Sequence, residues 1–277
     1  MKEKLSLVIK GFFIGIANII PGVSGGTLAI TLGIYEKLIE TISHFFKNLK
    51  ENIKFIIPIG IGAVLSLLLL SRVISFCLDK YTLATILFFI GLILGGIPLL
   101  SKKIKGQYKS ISNIIIFIIT FSFVILLSIL KGENVVSFEN MNFMGYVWIF
   151  LVGIVAAATM IIPGVSGSFV LMILGYYKPI VNTISALTKF ENIWQNIMIL
   201  VPFGVGILLG IIVISKLLEF LFKKFEVKTY FGVMGFVCAS IITIFMGAEG
   251  LVFSMPQLLV GIVLLGIGFI TAYKLGE

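Results

Sequence analysis

Ile19-Ile20-Pro21-Gly22-Val23-Ser24-Gly25 recurs, residue for residue, as Ile161-Ile162-Pro163-Gly164-Val165-Ser166-Gly167. A run of seven identities within one chain is far beyond chance and marks an internal duplication. The match spreads outward from this stretch. At the same spacing Gly11 pairs with Gly153, Leu32-Gly33 with Leu174-Gly175, and Tyr35 with Tyr177. Shifted by two residues, Pro58 pairs with Pro202, Gly60 with Gly204, Gly62 with Gly206, Ser71-Arg72 with Ser215-Lys216, and Gly91 with Gly235. Residues 1–130 and 143–277 therefore read as two related units, joined by a polar connector at 131–142 on the extracellular side.

The repeat is embedded in apolar sequence. The 277 residues are 59% hydrophobic and 12% charged, with a mean hydropathy of +1.19. A soluble domain carries about 25% charged residues, so this chain could not cover its surface with polar groups, and lipid is the solvent that fits. Apolar runs at Phe55–Cys77, Ile111–Leu130, Asn196–Phe222 and Pro256–Tyr273 approach or exceed the length of a spanning helix. The net charge of +9 sits in short clusters between these runs, which reads as topology signal and contact with anionic lipid rather than nucleic-acid binding. The first run ends at Ile20-Pro21-Gly22, so no cleavable signal is expected. Cys77 and Cys238 lack metal-ligand spacing, and the single histidine with few acids leaves hydrolytic chemistry little to work with. No enzyme activity, cofactor or metal is expected.

The lysines orient the chain. Each Pro-Gly-Val-Ser-Gly break is read as the tip of a helical hairpin entering and leaving on one side, about Leu5–Ser43 and Phe143–Leu187. Each hairpin precedes three spans: about Phe55–Cys77, Leu83–Leu100 and Ile111–Leu130, then Asn196–Phe222, Thr229–Gly247 and Pro256–Tyr273. Three is odd, so the second unit is inverted relative to the first. With both termini in the cytoplasm, the inner segments hold fourteen lysines: 2, 4, 10, 47, 50, 54, 102, 103, 105, 109, 223, 224, 228 and 274. The outer segments hold four, at 80, 131, 178 and 189, which is the positive-inside bias. A single crossing per broken segment would put the Lys47–Lys54 cluster outside. Hairpin arms of roughly 16 residues span about 24 Å, short for a full crossing, so re-entrant hairpins are preferred, although two full crossings keep the same parity. The expected fold is thus an all-α membrane protein of two inverted-topology repeats.

Non-helical backbone inside a bilayer is costly unless it lines a cavity or is buried in protein. Two matched breaks in inverted halves point to a site between them, the sequence sign of a secondary transporter. Helices are expected to start at about Thr27 and about Phe169, directly after the breaks. Their first amides are unpaired and carry partial positive charge. Glycines allow close approach of a ligand, and Ser24, Thr27, Ser166 and Ser168 add hydroxyls, a set suited to phosphate or carboxylate. The competing structural reading makes the breaks mere kinks with glycines for close helix packing.

Other polar residues have two readings each. Arg72 and Lys216 hold corresponding repeat positions, and either steer an anionic headgroup or snorkel to the interface. Glu36 on the second hairpin arm stands where the other half has Lys178, and either binds a coupling proton or pairs with Lys37. His44 beside a basic segment reads as solvated. Asn18, just before the first break, is placed to bond freed backbone or ligand. Trp148 and Trp194 fit interfacial anchors.

Pro21-Gly22-Val23-Ser24-Gly25-Gly26-Thr27 followed by Leu32-Gly33-Ile34-Tyr35-Glu36 resembles the PopT-type polyprenyl-phosphate translocase family. Pro163-Gly164-Val165-Ser166-Gly167-Ser168 with Gly175-Tyr176-Tyr177 matches the family's second half, so the likeness covers essentially the whole chain. The resemblance implies a plasma-membrane flippase that returns undecaprenyl phosphate, the lipid carrier of cell-wall precursors, from the outer to the inner leaflet. It places the headgroup on Ser24, Gly25, Gly26 and Thr27 with Ser166, Gly167 and Ser168; Arg72 is added on charge and repeat position. Proton or sodium coupling is open. The halves differ, since Gly26-Thr27 becomes Ser168-Phe169. Two other classes compete: a transporter of a small soluble anion, and a non-transporting membrane scaffold.

Overall fold

The computed structural model describes residues 2–17, 23–130, 136–138, 141–246 and 254–276; the side chains at 2, 71, 72, 75 and 188 lie outside the described set. Among the described residues there are twelve helices and no strand. The first half contributes α1 (Lys2–Ala17), α2 (Gly25–Thr31), α3 (Tyr35–Ser43), α4 (Leu49–Lys80), α5 (Thr82–Lys103) and α6 (Ile111–Ile129). The second contributes α7 (Phe143–Ile161), α8 (Gly167–Ile173), α9 (Tyr177–Thr188), α10 (Ile193–Lys224), α11 (Glu226–Met246) and α12 (Met255–Gly276). Seven of these helices, α4 to α7 and α10 to α12, are long and apolar enough to cross a membrane. The chain is a multi-pass helical membrane protein.

Element lengths repeat between halves. α4 and α10 each run 32 residues with a proline at the tenth position, Pro58 and Pro202. α2 and α8 each run seven. A 32-residue helix is about 48 Å long, more than a hydrocarbon core of about 30 Å, so α4 and α10 tilt or project into water at their ends.

The second hairpin arms differ from expectation. The sequence predicts one helix per arm, starting near Thr27 or Phe169; each instead starts two residues earlier and is split in two. Gly33 (φ +69°) and Gly175 (φ +78°) take the left-handed conformation that ends a helix without a Cβ clash. Gly33 N–H donates to Ile30 O and Ile34 N–H to Ala29 O; Gly175 N–H donates to Met172 O and Tyr176 N–H to Leu171 O. The two stops share one hydrogen-bond pattern, and the chain between α8 and α9 turns through 111°. The Leu-Gly pair matched in the repeat is this stop signal.

Helix pairing follows the duplication. α1 packs on α4 as α7 packs on α10. A methyl group at Gly11 would fall on the Ile59 carbonyl, and one at Gly153 on the Phe203 carbonyl, so these pairs approach backbone to backbone. Across the halves, α5 packs on α12 as α11 packs on α6, and α5 meets α11. α5 and α11 are the central spans, lined by Phe89, Leu92 and Ile93 and by Tyr230, Val237 and Ile244. α6 and α12 turn large side chains such as Ile119 and Val263 outward, as a lipid-facing surface requires.

One contact lacks a counterpart. α3 packs against α10, whereas α9 makes no comparable contact with α4 among the described residues. Tyr35 stands edge-on to Phe222, with ring centroids 6.1 Å apart.

Candidate substrate site at the two chain breaks

The first break is described from Val23. Ser24 is extended (φ −101°, ψ 133°) and precedes α2. The first bond inside α2 runs from Leu28 N–H to Ser24 O at 3.3 Å, so the amides of residues 25–27 lie ahead of the helical ladder. At the second break Ile161 ends α7, Gly164 takes φ +81°, and Ser166 is extended (φ −88°, ψ 125°). The first bond inside α8 runs from Val170 N–H to Ser166 O, leaving the amides of residues 167–169 in the same condition. Each of these helices is only two turns long, so its dipole is weak; the local N–H and O–H groups carry the anion-binding capacity.

The two breaks touch. Gly164 N–H donates to Thr27 Oγ1 at 2.8 Å, and Thr27 Oγ1 lies 3.4 Å from Ser240 Oγ on α11. Ser240 in turn donates to Phe236 O at 3.0 Å. With the Ser240 proton so used, the hydroxyl proton of Thr27 points to Ser240, and three donors run in one direction. Thr27 and Ser240 are wholly buried. Gly26 closes the junction, since a Cβ there would sit 2.9 Å from Ile161 O and 3.5 Å from Pro163 Cα. Tyr35 Oη donates to the same Ile161 O at 3.0 Å.

Depth follows from α11. Phe236 and Ser240 lie about 15 and 21 Å along that helix from its start at Glu226. The junction is therefore near the middle of a span-length helix. Polar groups there have no water to fall back on, which is why the Gly164 amide and the hydroxyls of Thr27, Ser240 and Tyr35 each find a partner.

The structure brings together Gly26, Thr27, Pro163 and Gly164, with Ser24 buried alongside. Ser166 and Ser168 form a second cluster, their hydroxyls 2.9 Å apart on a more exposed face, and Gly167 packs against Thr159. The described residues of the first tip, Val23, Ser24, Gly26 and Thr27, are thus buried, and the second tip carries the more accessible hydroxyls. Asn18 and the side chain of Arg72 lie outside the described residues. Lys216 is exposed on α10.

Glu36 is occupied. Its carboxylate accepts from Tyr230 on α11 and lies 3.4 Å from Lys103 Nζ at the end of α5. His44 is not simply solvated, because its Nδ1 lies 3.3 Å from Glu219 of α10. Sequence reasoning missed Ser240, Tyr230 and Glu219 as partners. Ser240 does stand out as a hydroxyl in the apolar run around Val237 and Ala239, but nothing in the sequence says that it faces Thr27.

Two short helices after matched breaks, the first meeting the second break at mid-depth among seven span-length helices, are the construction of a membrane transport protein. Residues 14–258 match the VCA0040-like family, described as undecaprenyl phosphate translocase-like, and the chain belongs to that family. A Staphylococcus aureus protein named polyprenyl-phosphate transporter is 32% identical over 276 residues, covering 98% of this chain and 95% of that one. A Vibrio cholerae protein of the same name is 29% identical over 236 residues, covering 80% and 71%. These relatives are named as transporters, not enzymes. No solved structure matches the chain.

Proposed function

We propose that this protein carries a polyprenyl phosphate, undecaprenyl phosphate in the first place, from the outer to the inner leaflet of the plasma membrane for reuse as a cell-wall lipid carrier. The observation that carries the reading is the buried junction in which Gly164 N–H meets Thr27 Oγ1. A phosphate entering there competes for donors already in place: the Gly164 amide, the Thr27 hydroxyl and the amides of residues 25–27. Ser166, Gly167 and Ser168 supply the second side, and Ser24, Gly25 and Gly26 let the headgroup lie against backbone. No full charge is needed at mid-depth, so the desolvation cost of a buried lysine is avoided. The relatives' names support the substrate, and the lysine count supports cytoplasmic termini and inverted halves.

Transport on this reading is alternating access. The α3–α10 contact closes the lysine-rich end, and Glu36 is a closing contact of that end through Tyr230 and Lys103. The test is a leaflet assay in vesicles made with the purified protein and a labelled polyprenyl phosphate. Wild type should move the lipid, and the Thr27→Val protein should be markedly slower. A Ser24→Ala, Ser166→Ala double variant that matches wild type would remove those two hydroxyls from the site. Transport of free phosphate with none of the lipid would favour the small-anion reading. Absence of any flux would leave the scaffold reading.

A further inference from the structure

A cleft of about 330 Å³ runs between α6, α10 and α11, from the second break to the lysine-rich end of α11. Pro163 forms its deep end, and Lys228 and Phe225 form its rim. Leu218 and Leu221 line one wall, Ile116 and Thr120 the other. From Lys228 to Phe236 the cleft follows about 12 Å of helix, the length of a short run of isoprene units.

Gly232 is the feature that makes the cleft. One turn further on, a methyl group at Gly235 would strike Phe117 O at 2.5 Å, so that glycine serves the packing of α11 on α6. At Gly232 a Cβ would meet only Ile116 Cγ2 at 3.4 Å and Thr120 Cγ2 at 3.5 Å, ordinary contact distances. Helix packing does not require a glycine there. The corresponding residue of the first half is Phe88, by the register that pairs Gly91 with Gly235. Lys228 is exposed and makes no ion pair among the described residues, its ammonium resting 5.9 Å from the Phe225 ring. An apolar slot one chain wide with an unpaired cation at its mouth complements a single-tailed lipid anion.

We propose that this cleft is an inner-leaflet site for the polyprenyl phosphate, with the phosphate on Lys228 and the first isoprene units lying over Gly232 toward Pro163. The proposal rests on the transport reading and adds the site where the lipid is delivered. In the inner leaflet the headgroup faces the lysine-rich surface and the tail points to mid-depth, which is how the cleft is oriented.

The test uses the full chain in nanodiscs, with thermal shift and equilibrium binding of undecaprenyl phosphate, phosphatidylglycerol and inorganic phosphate measured separately, beside the leaflet assay. Gly232→Leu should fill the cleft and weaken undecaprenyl-phosphate binding about tenfold, the loss expected from displacing about two methylene-sized contacts. Lys228→Gln should bind less tightly with a smaller salt dependence. Unliganded Gly232→Leu should melt close to wild type; should it not, Leu221→Trp fills the slot from the other wall. Equal binding of undecaprenyl phosphate by wild type and by the filled variants overturns the cleft while leaving transport standing. An equal response to phosphatidylglycerol overturns it too, as a general anionic-lipid contact. A wild type that neither binds nor moves the lipid sinks the transport reading and the cleft together.

Discussion

Thr27→Val is the sharpest perturbation of the junction. Valine keeps the shape of threonine and removes one oxygen. That oxygen accepts the Gly164 amide at 2.8 Å and faces Ser240 at 3.4 Å. Ser240 keeps its bond to Phe236 O, so its loss is small. The Gly164 amide has no such reserve, since residue 164 is buried at mid-depth. An orphaned buried donor costs about 1–3 kcal/mol. If the same oxygen also contacts the phosphate in transit, a loss of that size is about 5- to 150-fold in coupled binding. Thr27→Ser, which keeps the oxygen, should stay near wild type in both respects. The assay pairs a thermal melt of purified protein with leaflet transport normalised to folded protein. A Thr27→Val protein that melts lower but transports at the wild-type rate per folded molecule would make the junction structural only. One unchanged in both would show that the hydrogen bond does not matter at all.

Gly26→Leu should separate the breaks, because even a Cβ there meets Ile161 O at 2.9 Å; loss of transport with the protein still extracted as a folded species is the expected result. Gly62→Leu should lower stability by about 1–3 kcal/mol or prevent folding, since a side chain would fall on the Val8 carbonyl and force α1 from α4; denaturation in detergent reads it. Glu219→Gln removes the charge beside His44 and should loosen α3 from α10, seen as faster thiol labelling of a cysteine placed at Ser43 in a protein whose Cys77 and Cys238 are replaced by serine. In that background, Lys189→Cys should react with an impermeant maleimide on intact cells and Lys105→Cys only after permeabilisation; equal reaction would contradict the inner and outer assignment.

The repeat made much of this architecture legible. Matching residues at Gly11 and Gly153, Pro58 and Pro202, and Gly91 and Gly235 fall at matching places in the helix pairs, because close helix packing leaves its mark as glycine in one sequence at a time. Span positions were legible for the same reason, since twenty apolar residues admit few structures in lipid. The split of the second hairpin arms is present in the sequence as Leu32-Gly33 and Leu174-Gly175, but a matched Leu-Gly pair by itself does not distinguish a helix stop from a packing glycine. The third dimension was less accessible. That Thr27 reaches Ser240 depends on how α2 lies against α11, 213 residues away, and no local pattern encodes it. His44 keeps a partly solvated side chain, and its contact with Glu219 had no sequence signal because Glu219 stands on a helix from the other half.

The difference between the two ends bears on which way the protein rests. At the lysine-rich end α3 holds α10, with Glu36 on Tyr230 and Lys103, and His44 on Glu219. Carried across the repeat, the residues in those roles are Lys178 for Glu36, Ile86 for Tyr230, Ala186 for His44 and Ser75 for Glu219. A closure of α9 against α4 built on these residues has no acid to pair with Lys178. Half-exposed ion pairs contribute a few tenths to about 1 kcal/mol each. On the transport reading, two such contacts on one side only, the His44 one an ion pair when the imidazole is protonated, bias the empty protein by about 0.5–2 kcal/mol, or roughly 2- to 30-fold, toward the state closed at the lysine-rich end. On the proposed topology, with the lysine-rich end in the cytoplasm, that bias leaves the opposite face ready to take lipid from the outer leaflet, and it sets what the lipid must supply. A phosphate bound between the breaks has, on the proposed reading, to stabilise the other closure by at least that difference.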